Sequence, residues 1–410
     1  MKTVQIFLVF LLIASCNPPA EEIDMTSWTH FTIDGSLPGV QWGTGGPTLA
    51  DYDGDGDLDL ALSRRSVQAA FWYEYRNDST WVRHLIGEHI GLDNTLGTTA
   101  VDIDQDGWQD IVFGHVWFRN PGTLGDKPNT PWEPNDYPSS GHDIVTIDVD
   151  GNGIDDFMIY NGKRISWFDV GNDLEEVVIS EGYDDHGGLA PKGVGDIDMD
   201  GDVDAIIPGF WFANPGKGRG EWVVNEWPFI PVPKASYGRS TRSWITDLDK
   251  DGDVDIIYSH CDTGLGHVYW IENTSKGTAW ISHQLPDPPT REGDVEGTGS
   301  FHSLGIADFD LDGDLDVFAG EQEDPDTYME ADGLLAMKPV GLKERGVIWE
   351  NDGANKPGFT PVVIHIDNPG WHDASLGDVD GDGDIDIVTK VWNADGPNYH
   401  ADYWRNDIIK

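Results

Sequence analysis

The sequence predicts an all-β fold, a β-propeller of seven blades. Three observations carry this. A nine-residue acidic motif recurs seven times, at intervals of 46 to 70 residues, and a period of that size is the signature of a repeat architecture. The chain holds 50 Gly and 24 Pro, a punctuation that suits short strands and turns rather than long helices. Around each copy of the motif the same strand-like segments return in the same order.

The motif reads Asp-x-Asp-x-Asp/Asn-Gly-x-x-Asp. Its oxygen-bearing positions are Asp51, Asp53, Asp55 and Asp59, then Asp102, Asp104, Asp106 and Asp110, then Asp148, Asp150, Asn152 and Asp156. They continue as Asp196, Asp198, Asp200 and Asp204, then Asp247, Asp249, Asp251 and Asp255, then Asp308, Asp310, Asp312 and Asp316. The last copy is Asp378, Asp380, Asp382 and Asp386. Calcium takes six to eight oxygen ligands at short range. Side chains at positions one, three, five and nine, with a main-chain carbonyl at seven, supply them, and Gly at six permits the sharp turn. Strand-like residues such as Leu60-Ala61-Leu62 follow, so the loop joins two strands. Structural calcium in up to seven loops is therefore expected.

An apolar strand enters each loop and a second leaves it. A third carries Trp and ends in Asn, as in Trp211-Phe212-Ala213-Asn214 and Trp270-Ile271-Glu272-Asn273. A fourth resembles Trp81-Val82-Arg83-His84. Four short antiparallel strands make one propeller blade. The last repeat stops after its third strand, and Trp28 to Ile33 has the fourth-strand pattern. The N-terminal strand is thus expected to complete the last blade and remove an open sheet edge. Residues 28–410 then form one domain. The acidic loops resemble the FG-GAP/VCBS repeats of integrin-like bacterial propellers, over nearly the whole mature chain. That resemblance implies fold and calcium. It leaves function open, because such propellers serve as adhesins, scaffolds and enzymes.

The formal charge of −49 repels phosphate backbones and speaks against nucleic-acid binding. Apolar residues at 38%, with 18 Trp, suffice for a large core and exclude bulk disorder. Lys2 precedes an apolar run, Ile6 to Ala14, too short to span a bilayer. It ends in Ile13-Ala14-Ser15-Cys16, which resembles a bacterial lipobox. The resemblance implies a signal peptide at 1–15, lipidation of Cys16 and a tether at 16–27. It places the protein at the outer membrane, periplasmic or on the cell surface, touching the membrane through the lipid alone. A monomer is expected. Cys261 then has no disulfide partner.

The face opposite the acidic loops carries the loops that enter strand one and leave strand two. Six residues before the first motif Asp lie His142, His302 and His372. Five residues after the last lie Arg64, His115, His260 and Glu321, with Lys390 one position earlier in its blade. Six residues before the third-strand Asn lie His267 and His400. This register predicts a basic or metal-containing pocket. His302, His372, His400, Glu321 and His260 are the catalytic candidates. Arg239, Arg242, Lys390, His115, His142 and Trp392 are the substrate-binding ones. Imidazoles with a carboxylate could hold a further divalent metal. Trp42, Trp117, Trp211, Tyr237, Trp244, Trp371 and Tyr399 are aromatic candidates for stacking on sugars. The long insertion from Glu321 to Val347 is expected to fold over the mouth.

The segment from Phe301 to Asp308, running on to Ala319-Gly320-Glu321, is similar to segments in propellers of the aldos-2-ulose and anhydrofructose dehydratase type. The Trp-Phe-x-Asn-Pro-Gly turns at Trp117 and Trp211 are similar too. This implies a carbohydrate lyase or dehydratase that eliminates at a uronic-acid residue of algal, ulvan-like oligosaccharides. A non-catalytic glycan-binding or adhesion propeller fits the same aromatic and basic face.

Overall fold

The computed structural model describes residues 27–409, apart from 41, 140, 233–237, 291–298, 323–342, 355, 367–369 and 393–398. Cys16, the signal segment, nearly all of the tether, Tyr237 and most of the 321–347 insertion lie outside the described residues.

Seven antiparallel sheets form seven blades. The strands of blade one are Thr48–Ala50, Asp59–Arg64, Ala69–Asn77 and Thr80–Glu88. Blades two, three and four begin at Thr98, Asp143 and Val194; blades five, six and seven begin at Arg239, Phe301 and Asp373. The fourth strand of blade seven is Trp28–Asp34, paired antiparallel with Ala401–Asn406. The first strand of blade seven also lies against that of blade one. No described helix is long and apolar enough to cross a membrane.

Burial follows radial position. Each second strand, such as Asp255–His260 and Asp316–Glu321, is buried along its whole length, because both faces of a blade are covered by neighbouring blades. This is why these strands read as unbroken apolar runs instead of alternating ones. Fourth strands such as Thr80–Glu88 are largely open to solvent. Trp72, Trp167, Trp349, Trp371 and Trp404 are fully buried in the layers between blades.

The acidic loop has one conformation in all seven blades. Its sixth residue, always Gly, has φ between +85° and +103°, a region closed to most side chains. The fourth position is left-handed as well, even where it is Gln105, Met199, Lys250 or Leu311. In every copy the first Asp accepts a hydrogen bond from the sixth-residue N–H, for example Asp51 from Gly56 at 3.1 Å and Asp378 from Gly383 at 3.1 Å.

The ninth Asp ties the loop to the rest of its blade. In Asp204 one carboxylate oxygen accepts from Ile197 N–H and the other from Asn214 N–H, both at 2.9 Å. The other six copies repeat this bridge between the loop and the third strand, as Asp110 does to Ile103 and Asn120. The Asn closing strand three then reaches the previous blade: Asn120 donates to the Tyr52 carbonyl, Asn214 to Val149, Asn273 to Ile197 and Asn406 to Phe309. Trp-x-x-Asn is thus a device for tying blade to blade.

One departure from the repeat positions the site. Between blades three and four the chain makes two short strands, Asp185–His186 and Pro191–Lys192, that pair in parallel with the first strand of blade five. They bring His186 and Lys192 to the mouth.

Candidate functional site

The entry segments and first strands of the seven blades, with Arg65, Asp262, Gln322 and Trp392 from beyond four of the second strands, line a cavity of about 820 Å³. It lies at the end opposite the acidic loops, since those join strand one to strand two. Its polar lining includes His142, Asp143, His186, Arg242, Asp262, His302, His372 and Asp373, with Trp42, Trp244 and Trp392 as aromatic walls.

Arg242 sits at the centre of the charge network. Its guanidinium donates to Asp373 Oδ1 from Nη2 at 2.8 Å and from Nε at 3.1 Å. The other oxygen of Asp373 meets Lys390 Nζ at 2.6 Å. Arg242 Nη1 is buried, has no hydrogen-bond acceptor among the described residues, and lies 3.8 Å from Asp143 Oδ1. Burial alone would raise the Asp373 carboxyl, but Lys390 and Arg242 outweigh it and hold the group well below the usual range. Burial likewise opposes the charge on Arg242, yet Asp373 and Asp143 keep it firmly protonated.

The imidazoles surround this cation. The rings of His302 and His372 lie 3.8 Å apart, and His302 Nδ1 is 2.6 Å from the His372 carbonyl. His142 Nδ1 contacts Asp143 Oδ1 at 2.7 Å, and its Nε2 lies 3.3 Å from His186 Nε2. Asp143 is fixed in turn: its other oxygen accepts from the N–H groups of Gly188, Leu189 and Ala190 at 2.7 to 3.0 Å. Burial, then the charge of His372, pushes His302 down to about 4. Burial, then His142, takes His186 to about 4. Burial and Lys390 hold His372 well below its usual value. These rings are therefore neutral near pH 7, and each keeps one nitrogen lone pair.

The site candidates divide. His142, Arg242, His302, His372 and Trp392 line the cavity, and Lys390 braces it from behind through Asp373. The others do not join them, which corrects the expectation of one pocket. Glu321 is buried against Arg345, which meets it at 2.7 Å from Nη2 and at 2.9 Å from its own backbone N–H. It is a structural ion pair. His400 Nδ1 turns to Asp402 at 2.5 Å, on the carboxylate that also meets His30. His260 is buried beside Tyr258 and Tyr269 with Nε2 on the Ile230 carbonyl. Arg239 pairs with Asp185. His115 is half-buried in the turn before strand three of blade two, outside the lining.

Among the aromatic candidates, Trp211 and Trp371 are core residues, Trp117 packs against the core, and Tyr399 lies under Arg64. Trp42 is 52% exposed and leans on Trp392, with the Arg65 guanidinium over both rings. Asp143, Asp262 and Asp373 line the cavity but are not among the catalytic or substrate-binding candidates named from the sequence. A signal existed for two of them, since His-Asp occurs at the same register at 142–143 and 372–373.

The model of the FG-GAP-like repeat matches residues 51–113 and 247–319. The chain thus carries FG-GAP-like repeats on a seven-bladed β-propeller. No curated protein matches it. Among solved structures it is similar to an Agrocybe aegerita lectin described as recognising non-reducing terminal N-acetylglucosamine. The identity is 18%, over 79% of this chain and 81% of that one, with a TM-score of 0.49. It is also similar to an exotype rhamnogalacturonan lyase (13% identity, 92% and 76% covered, TM-score 0.47). A Bacillus licheniformis rhamnogalacturonan lyase gives 14% identity, 92% and 75% coverage and a TM-score of 0.44. Identities this low carry no residue's role across.

Proposed function

We propose that the cavity binds a uronic-acid residue of an anionic, ulvan-like oligosaccharide and eliminates across it, as a carbon–oxygen lyase or dehydratase. The observation that carries this reading is Arg242: a buried guanidinium whose Nη1 has no hydrogen-bond acceptor among the described residues, set among imidazoles in an aromatic-walled cavity. The sugar carboxylate pairs with Arg242. A neutral ring, His372, removes the proton on the carbon next to that carboxylate. Charge develops on the carboxylate in the transition state, where a fixed cation stabilises it most. The bond from the adjacent carbon to oxygen breaks and a carbon–carbon double bond forms. The ring then returns its proton to the departing oxygen, as a general acid. Trp392 and Trp42 present flat apolar faces to the sugar.

A second reading is a non-catalytic glycan-binding propeller, favoured by the exposed Trp42 beside Trp392. Incubation with uronic-acid oligosaccharides, followed by ultraviolet absorbance of an unsaturated product, decides between them. Turnover lost in Arg242→Ala supports elimination. Saturable binding without product supports the second reading.

We also propose calcium in the acidic loops. The residues fit it. In the loops at 51, 102, 148 and 196, the carboxylates of positions one, three and nine approach within 4.8 Å of one another. Buried oxygens of Asp198, Asp247, Asp308 and Asp378 have no hydrogen-bond partner among the described residues. Burial and neighbouring carboxylates push Asp59 up to about 9, Asp316 to about 8, and Asp110, Asp156, Asp204, Asp255 and Asp386 to about 7. A bound cation relieves that repulsion. In this reading the protein works as a monomer held to the outer membrane through lipid on Cys16. Labelling with a radioactive fatty acid, lost in Cys16→Ser, tests the anchor.

A further inference from the structure

Four side chains from separate parts of the chain converge on one side of the cavity. His142 enters blade three, His186 lies on the linker strand beside blade five, Asp262 follows the second strand of blade five, and His302 enters blade six. His142 Nε2 and His186 Nε2 are 3.3 Å apart. Asp262 Oδ2 is 3.9 Å from His186 Nε2 and 4.0 Å from His302 Nε2. Bonds of 2.0–2.2 Å to one tetrahedral ion put neighbouring ligand atoms about 3.4 Å apart, and these three spacings lie within about 0.6 Å of that.

The outer partners aim these atoms. His302 Nδ1 faces both the His372 carbonyl at 2.6 Å and Arg242 Nη2 at 3.2 Å; the shorter contact is to an acceptor, which favours the proton on Nδ1 and the lone pair on Nε2. The carboxylate of Asp143 does the same for His142. Asp262 is held by Ser240 at 2.5 Å on Oδ2 and by Gln322 on Oδ1. Ligating histidines are typically oriented in this way, through a second N–H given to a carboxylate or carbonyl.

We infer that His142, His186, His302 and Asp262 hold one first-row divalent cation of the zinc type, bound through three Nε2 atoms and one carboxylate oxygen. Imidazole with a single carboxylate suits such ions, whereas calcium prefers oxygen alone. The neighbouring group His302, His372 and Asp373 also lies within ligand range. It is the weaker choice, because His302 Nδ1 is turned to a carbonyl and Asp373 is already paired with two cations, Arg242 and Lys390, whereas Asp262 has only neutral donors on its oxygens. The inference deepens the proposed elimination, yet metal binding is measurable without any substrate.

The experiment uses the whole protein, stripped with chelator and returned to excess calcium so that the acidic loops are filled. Zinc is then titrated by calorimetry, and cobalt(II) by its visible absorption. One equivalent of each, with the intense absorption of low-coordinate cobalt bound to nitrogen, is expected. His142→Ala, His186→Ala and Asp262→Ala should each weaken zinc by at least ~100-fold, the upper end of what outer-shell changes alone produce. His372→Ala should keep it. Asp262→Asn, which preserves shape, guards against a misfolded Ala variant. Absence of the equivalent overturns the site, as does loss in His372→Ala with retention in His142→Ala. Zinc binding without turnover upholds the metal and removes the elimination; turnover without zinc does the reverse.

Discussion

The two faces of this propeller use the same acids in opposite ways. On one face, each group of carboxylates comes from nine consecutive residues, repeated seven times, with its geometry set by local backbone: Gly at φ near +90° and a left-handed fourth residue. On the other, Asp143, Asp262 and Asp373 come from three blades and are each matched to a cation or to imidazoles. The direction of their titration shows the contrast. The ninth loop residues are pushed up to about 7 or higher, whereas, against the opposing effect of burial, His302 and His186 hold Asp262 at about 2. The first face leaves mutually repelling carboxylates, which is the reason for proposing a cation there. The second has most of its charges paired already.

Chelation should break this contrast most severely. A site filled at a hundred times its Kd contributes about 2.7 kcal/mol, so several filled loops together match the ~5–15 kcal/mol of a whole domain. Removing calcium should lower Tm steeply or unfold the protein. An unchanged melting curve, with metal loss confirmed, would remove calcium from the loop face.

The next effect separates core from cavity. Glu321→Ala strands buried Arg345, and breaking such a pair costs about 3–5 kcal/mol. Urea unfolding should show that loss while the folded fraction keeps its turnover. Loss of turnover in fully folded protein would return Glu321 to the active site.

His372→Ala should reverse that pattern. Turnover falls by ~100-fold or more, the scale of a missing general base, with the melting temperature and bound calcium unchanged. Full activity would exclude His372 as the base.

The smallest effect tests the ties between blades. Asn214→Ala leaves the buried Val149 and Val203 carbonyls without their donor, for about 1–3 kcal/mol. Stability within error of the parent would make these ties dispensable.

What could be read from the sequence follows the same division. The seven blades and the acidic loops were legible because nine adjacent residues encode each loop and the strands repeat around it. The bridging role of the ninth Asp was not, since its second partner lies 10 to 35 residues further on. In the cavity, register alone found His142, His302 and His372, which sit at one height on the inner strands. It failed for Glu321, His260 and His400. Those positions end or precede strands farther from the axis, where Arg345, the Ile230 carbonyl and Asp402 capture them. Asp262 was hidden for another reason: its neighbour His186 comes from a linker strand that pairs in parallel with blade five, a contact outside the repeat.

The most direct test is a crystal structure of the His372→Ala variant soaked with a uronic-acid oligosaccharide. The account predicts the sugar in this cavity, its carboxylate within hydrogen-bond distance of Arg242 Nη1 and a ring against Trp392 or Trp42. A sugar bound at the acidic-loop face or the outer rim, with the cavity holding only solvent, would contradict it.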